Sequence, residues 1–292
     1  MMLKYLTARA SHSETPNRGQ QGAIASSSSW LTSLALGLVV GLGGFLPQAA
    51  RAAEGPESAP ASLVQTIDQI DTAANQRDLK ALMQFYGPKF NHADGLNRQR
   101  YEQAVREFWE RYSTLNYDTE LLSWEQNGDI LTAETLTTIT GTQTVGEHNF
   151  QLTATVKSRQ QFDGQRMIRQ EILSEKSSLS AGDKPPTVEV RLPETVSVGQ
   201  RYNLDAIVQE PLGEDVLLGA ALEERVRPDA YFKADKLDLV PLTAGGIFRE
   251  GSAPNVPDNY WITTALVRSD GMTFSTQRLQ VQGRGGPVKQ PR

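Results

Sequence analysis

"DLKALMQFYGPKFNHADGLNRQRYEQAVREFW", residues 78–109, decides how the chain folds, because it holds two helix signals with a break between them. Asp78 stands where a cap is needed, ahead of Leu79, Leu82, Met83 and Tyr86 on one helical face. Gly87-Pro88 ends that helix, since proline lacks an N–H and clashes with the turn before it. Asn97 caps the next one, where Tyr101, Val105, Phe108 and Tyr112 recur at helical spacing and Trp109 widens the stripe. Between the two, "FNHADGLN" reads as a polar turn, with Asp94-Gly95 at the corner and His92 in solvent.

On the N-terminal side, Leu63, Ile67, Ile70 and Ala74 make a third apolar face and predict a first helix. On the C-terminal side the period changes to two from Thr114 onward. Asn127-Gly128 and Asp163-Gly164 are hairpin turns, and they divide the region into strands near 115–126, 129–142, 148–162 and 165–176. The alternation slips between Leu121 and Leu122, which predicts a bulge. In the third strand Phe150, Leu152, Ala154 and Val156 mark one face, and Thr153, Thr155, Lys157 and Arg159 the other.

"SSLSAGDKPP", residues 177–186, has the composition of a linker. Beyond it come strand-like runs such as "RYNLDAIVQE", "YWITTALVRS" and "MTFSTQRLQV", at the spacing of a β-sandwich. The expected fold class is therefore α+β. Three N-terminal helices pack on a curved four-stranded antiparallel sheet over residues 62–178, and a linker follows at 179–186. An all-β, immunoglobulin-like sandwich then fills 187–283. Residues 53–61 and 284–292 are expected to be disordered by their small-residue, Gly and Pro content.

Residues 1–52 read differently. A basic start with Lys4, Arg9 and Arg18 precedes the uncharged run "LTSLALGLVVGLGGFLP" and then Ala50-Arg51-Ala52. This is the order of a secretory signal peptide and its cleavage site, and it implies export to a periplasm or the extracellular space, with no membrane attachment after cleavage. The competing reading is a retained anchor, for which the apolar run is short and rich in Gly. The chain carries a net charge of −5 and the basic leader makes the remainder more acidic still, which argues against nucleic acid as a partner. With no cysteine anywhere, thiol catalysis, disulfides and thiolate metal sites are excluded. His92 and His148 are the histidines beyond the leader, and no HxH spacing or glycine-rich phosphate loop accompanies them. Neither a metal nor a cofactor is expected.

The order of three helices and four strands resembles the nuclear transport factor 2-like superfamily, which includes SnoaL-like and ketosteroid isomerase-like members. Residues 78–109 look like that family's second helix, loop and third helix. Joined to a sandwich, the arrangement also resembles exported cyanobacterial proteins, for which a thylakoid lumen is a further compartment. The resemblance implies a cone-shaped fold and association into homodimers through the open face of the sheet. In the family's enzymes a carboxylate base sits in the loop before the third helix, which makes Asp94 the matching residue and His92 a second base. The matching oxyanion hole would need an acid in "FQLTATVKSRQQF", and that stretch has none. As a binding pocket the cone would draw Tyr86, Tyr101 and Trp109 from the helices and Arg159 and Glu171 from the sheet. A plainer reading has the aromatics filling the core and Arg159 paired with Glu171 across strands. The leading functional expectation is an exported, non-enzymatic binding or assembly protein for a small organic ligand or a protein partner. The alternative is an isomerase-like or dehydratase-like enzyme with Asp94 as general base.

Overall fold

The computed structural model describes residues 53–213, 215–233 and 236–283. The expected signal segment, 1–52, and the expected tail, 284–292, lie outside the described residues. Helix α1 spans Ala61–Asn75 and buries Leu63, Ile67 and Ala74 on the face that the spacing predicts. Helix α2, Leu79–Leu82, is a single turn whose cap Asp78 accepts a hydrogen bond from the Ala81 N–H at 2.9 Å. Helix α3, Arg98–Arg111, is capped by Asn97, which accepts from the Arg100 N–H, and it buries Tyr101, Phe108 and Trp109.

Between α2 and α3 the chain is not only a turn. Residues Tyr86–His92 form strand β1, paired in parallel with the later strand Arg166–Gly182. The register is irregular between Tyr86 and Asn91, so Pro88 sits where no ladder hydrogen bond is demanded of it. That is how a Gly-Pro pair, read from sequence as a stop, is carried inside a strand.

Strands β2 (Thr114–Asn127), β3 (Ile130–Val145), β4 (His148–Asp163) and β5 (Arg166–Gly182) form an antiparallel meander. Gly128, Gly146 and Gly164 all have φ near 60° at the three hairpins, as two-residue loops require. The slip in β2 lies between Leu121 and Ser123. Strand β2 is an edge strand, and α1 covers its exposed backbone. Asn75 accepts from the Tyr117 N–H at 2.7 Å and donates to the Tyr117 carbonyl at 2.9 Å. One helical turn earlier, Asp71 accepts from the Thr119 N–H at 2.7 Å.

The stretch expected to be a linker begins as strand. β5 runs to Gly182, with its first half against β1 and its second half against the last strand of the chain. The hydroxyls of Ser178 and Ser180 alternate with a buried face of Ser177, Leu179 and Ala181, and that period-two pattern is enough for a sheet. Gly182 closes the strand with φ 107°, and a Cβ there would stand 2.5 Å from the Asp270 carbonyl oxygen, so only glycine fits.

The remaining strands are β6 (Val188–Arg191), β7 (Thr195–Ser197), β8 (Arg201–Val208), β9 (Leu218–Arg225), β10 (Val240–Pro241), β11 (Gly246–Ser252), β12 (Asp258–Arg268) and β13 (Gly271–Gln282). The main sheet has the order β10-β9-β12-β13-β5-β4-β3-β2, and a three-stranded sheet, β11-β8-β6, stands apart from it. Tyr202 and Leu204 of the small sheet pack on Ile262, Leu279 and Val281 of the large one. The fold is thus mostly β-sheet with few helices, and its second half is hydrogen-bonded to the first through β5 and β13. Residues 53–60 are ordered too. The Glu54 N–H donates to the Trp124 carbonyl at 2.8 Å, and the Trp124 indole donates to Ser58 Oγ at 3.2 Å. A segment read from composition as disordered is held by backbone pairing that composition does not register.

Candidate functional site

Where α1 and α3 cross the sheet formed by β2–β5, the packing leaves a cavity of about 100 Å³. The helices contribute Ile67, Asp71, Tyr101, Phe108 and Trp109 to its wall. The strands contribute Tyr117, Thr119, Ser158, Gln160 and Gln170. Strand pleat decides which side chains these are. In β4, Val156, Ser158, Gln160 and Phe162 are buried while Arg159 and Asp163 face solvent.

Aromatic rings make one side. The Tyr86 and Tyr101 hydroxyls lie 3.0 Å apart with ring centroids at 4.8 Å, and burial pushes both phenols above their ordinary pKa. Trp109 Nε1 donates to the Tyr117 hydroxyl at 2.9 Å. The sheet side is polar. Gln160 Nε2 donates to Ser158 Oγ at 3.1 Å and to Thr135 Oγ1 at 3.3 Å. Gln170 stands opposite Gln160 in the β4–β5 register, and its Oε1 is buried with no hydrogen-bond partner.

Among the described residues, Asp71 supplies the one carboxylate of the cavity wall. Thr119 donates to it twice, from N and from Oγ1, each at 2.7 Å. Its pKa is nevertheless raised: burial disfavours the charge more than those hydrogen bonds favour it, and Asp118 and Asp68 add like-charge repulsion.

The residues singled out in the loop before α3 go elsewhere. Asp94 is not exposed at a turn corner; its side chain is 3% exposed and faces the second half of the chain. Arg278 of β13 donates to it from Nη1 at 3.0 Å and from Nη2 at 2.8 Å, and the Tyr231 hydroxyl donates to Oδ2 as well. Glu175 of β5 shares Arg278 at 3.2 Å and accepts from the Trp261 indole at 3.0 Å. The Arg278 guanidinium also lies over the Trp261 ring, 5.7 Å from its centroid. Burial alone would raise the Asp94 pKa, but Arg278 outweighs it and holds the carboxyl below its ordinary range. His92 is buried at 1% exposure, stacked on Tyr101, and accepts from the Asp94 N–H at Nδ1. Desolvation lowers its pKa to about 3, with Asp94 opposing the shift.

Of the residues expected from sequence, Tyr86, Tyr101 and Trp109 line the cavity, while Asp94 and His92 do not. Arg159 and Glu171 lie on the outer face of the sheet. Arg159 bonds to Glu134 at 2.8 Å and reaches Glu171 at 3.6 Å, both as partly exposed pairs. The alternation through Val156 already placed Arg159 outward; treating it as inward broke that alternation. Asp71, Ser158, Gln160 and Gln170 went unnoticed. For the last three the signal was available, because continuing the Phe150–Val156 face by twos reaches Ser158 and Gln160, and Gln170 pairs with Gln160.

Residues 183–282 match the family described as "Domain of unknown function (DUF8623)", starting one residue after β5 ends. No curated protein matches the chain. Among solved structures, the Bdellovibrio bacteriovorus protein Bd1075 is 19% identical, with a TM-score of 0.28, over 38% of this chain and 38% of its own. The chain thus spans well under half the length of that relative. An epoxide hydrolase of the LEH-like kind from M. tuberculosis is 11% identical, with a TM-score of 0.27, over 38% of this chain and 80% of its own. A nuclear transport factor 2-like protein of unknown function from Exiguobacterium sp. 255-15 is 18% identical, with a TM-score of 0.27, over 38% of this chain and 95% of its own. None of the three reaches 0.5, so the description of the fold rests on the strand order and register given above.

Proposed function

We propose that residues 61–182 form a cone of the nuclear transport factor 2-like kind, and that its cavity binds a small organic molecule without transforming it. The observation that carries this reading is Gln170 Oε1, an amide oxygen buried against the cavity with no partner. Leaving such an acceptor dry costs about 1–3 kcal/mol, a penalty that a ligand donor removes. The mixed wall of rings and a few polar groups is what a small-molecule site needs. Against proton transfer by Asp94 stands its ion pair with Arg278, together with its position outside the cavity wall.

Residues 187–283 then serve as a sandwich clamped to the cone, which fixes β1 and the start of α3. With the leader read as a secretory signal, binding takes place outside the cytoplasm.

Thermal unfolding with a set of small organic molecules tests the reading, because a ligand that binds only the folded state raises Tm. Ala74 lines the cavity, and Ala74→Leu adds three carbons inside it. Some members of the set should raise the wild-type Tm and leave Ala74→Leu unmoved. A set that moves neither protein, or moves both alike, contradicts the proposal.

A further inference from the structure

The charge on the cavity wall is one-sided. Among the described residues no lysine, arginine or histidine lines it, and Asp71 brings its single formal charge. Around Asp71 the field is negative as well, since Asp68 and Asp118 are close enough to act on its ionisation. An anion entering here meets the Asp71 carboxylate and no cationic side chain in the described wall; Arg77, which acts on Tyr117, stands outside it. A cation meets Asp71 held in place by Thr119, with lone pairs still free after two donors. It also meets the rings of Tyr86, Tyr101, Phe108, Trp109 and Tyr117. Aromatic faces attract cations through their quadrupole, most of all when water is excluded.

Gln170 is an observation independent of the charges. Its side chain is more than nine-tenths buried, at 8% exposure, and Oε1 is unpartnered within the wall. A neutral amide oxygen left open complements positive charge and does not repel it. Size sets the upper limit. A cavity of about 100 Å³ is smaller than the ~150 Å³ cavity that admits benzene, so an occupant of about five heavy atoms fits.

Resting on the binding role proposed above, we infer that the cavity selects a compact alkylammonium ion, paired with Asp71 and enclosed by the aromatic rings. Selection follows from the two features together: the rings accept methyl groups of any charge, and Asp71 distinguishes the cation from a neutral molecule of equal bulk.

The test is calorimetric titration of the full-length protein with three probes of equal heavy-atom count: tetramethylammonium, tert-butanol and propionate. Tetramethylammonium should bind at least about tenfold more tightly than tert-butanol, the size of one desolvated cation–π or ion-pair contribution. Propionate should not bind. Asp71→Asn keeps an acceptor for Thr119 and should bring the two affinities together. If tert-butanol binds as well as the cation, the cation inference fails and the cavity remains a binding site. If none of the three binds, the cation inference fails, and the binding role is decided by the thermal-unfolding set. If Asp71→Asn keeps the full preference, Asp71 is not the discriminating group. The wild-type ratio decides the inference by itself should the variant not fold.

Discussion

Arg278 Nη2 lies 2.8 Å from Asp94 Oδ2, although 184 positions separate the two residues. No side chain larger than Arg278 is withdrawn from solvent so completely among the described residues. The pair joins the turn after β1 to β13, and Glu175, Tyr231 and Trp261 complete its shell. A guanidinium in such a place is stable only because two carboxylates and a ring face it. Arg278→Met removes the charge and leaves Asp94 and Glu175 buried without it, which should cost about 3–5 kcal/mol of stability. Adding Asp94→Asn and Glu175→Gln to that variant should recover part of the loss. Urea midpoints measure both effects, and an unchanged midpoint for Arg278→Met would mean that the cluster contributes nothing to stability.

His92 gives the fold a pH dependence of definite sign. Its folded-state pKa is near 3, whereas the unfolded chain takes up the proton near the ordinary value of 6.5. Between those values the unfolded state binds more protons, so stability falls as the pH drops, by about 1.4 kcal/mol per pH unit once the imidazole of the unfolded chain is protonated. Asp94, with its pKa depressed, adds stability above the ordinary carboxylate range that is lost only as the pH falls below it. His92→Gln should therefore flatten stability between about pH 6.5 and 4 and leave the steeper loss at lower pH in place. Chemical denaturation at half-unit pH steps reads this directly; a wild type with level stability across that window would contradict the burial assigned to His92.

The cap on the open edge of β2 is separately testable. Asn75 satisfies both backbone groups of Tyr117. Asn75→Ala should lower stability by about 1–2 kcal/mol and speed amide exchange in β2 more than in β4, which has neighbours on both sides. Equal protection of the two strands in the variant would rule out an edge-capping role.

Much of this was legible in the sequence, and the failures have physical causes. Caps at Asp78 and Asn97, the hairpin glycines and the slip in β2 are local events written in adjacent residues. β1 was not legible, because its pairing partner lies some eighty residues away and its Gly-Pro pair carries a stop signal that only the irregular register neutralises. The fate of Asp94 was hidden for the same reason. Nothing within ten residues of it announces Arg278, and an Asp-Gly pair looks the same whether it meets water or a guanidinium. The cavity wall was half legible: pleat alternation reaches Ser158 and Gln160, but Asp71 lies on a helix whose facing strand must be known first.

Gln170 tests whether a buried polar group is kept at the expense of stability. Gln170→Met preserves volume and removes the unpaired acceptor, so the empty protein should gain about 1 kcal/mol. The same change should weaken binding of whichever small molecule raises the wild-type Tm. A variant that binds normally and is no more stable would show that Oε1 has no part in the site.

Native mass spectrometry of the full chain, purified from its own host without denaturation, tests the central claim most directly. The wild type should carry a reproducible small excess mass that disappears on unfolding and is missing from Ala74→Leu. A wild-type mass equal to that of the bare polypeptide, measured while the protein remains folded, would contradict a ligand-binding cavity.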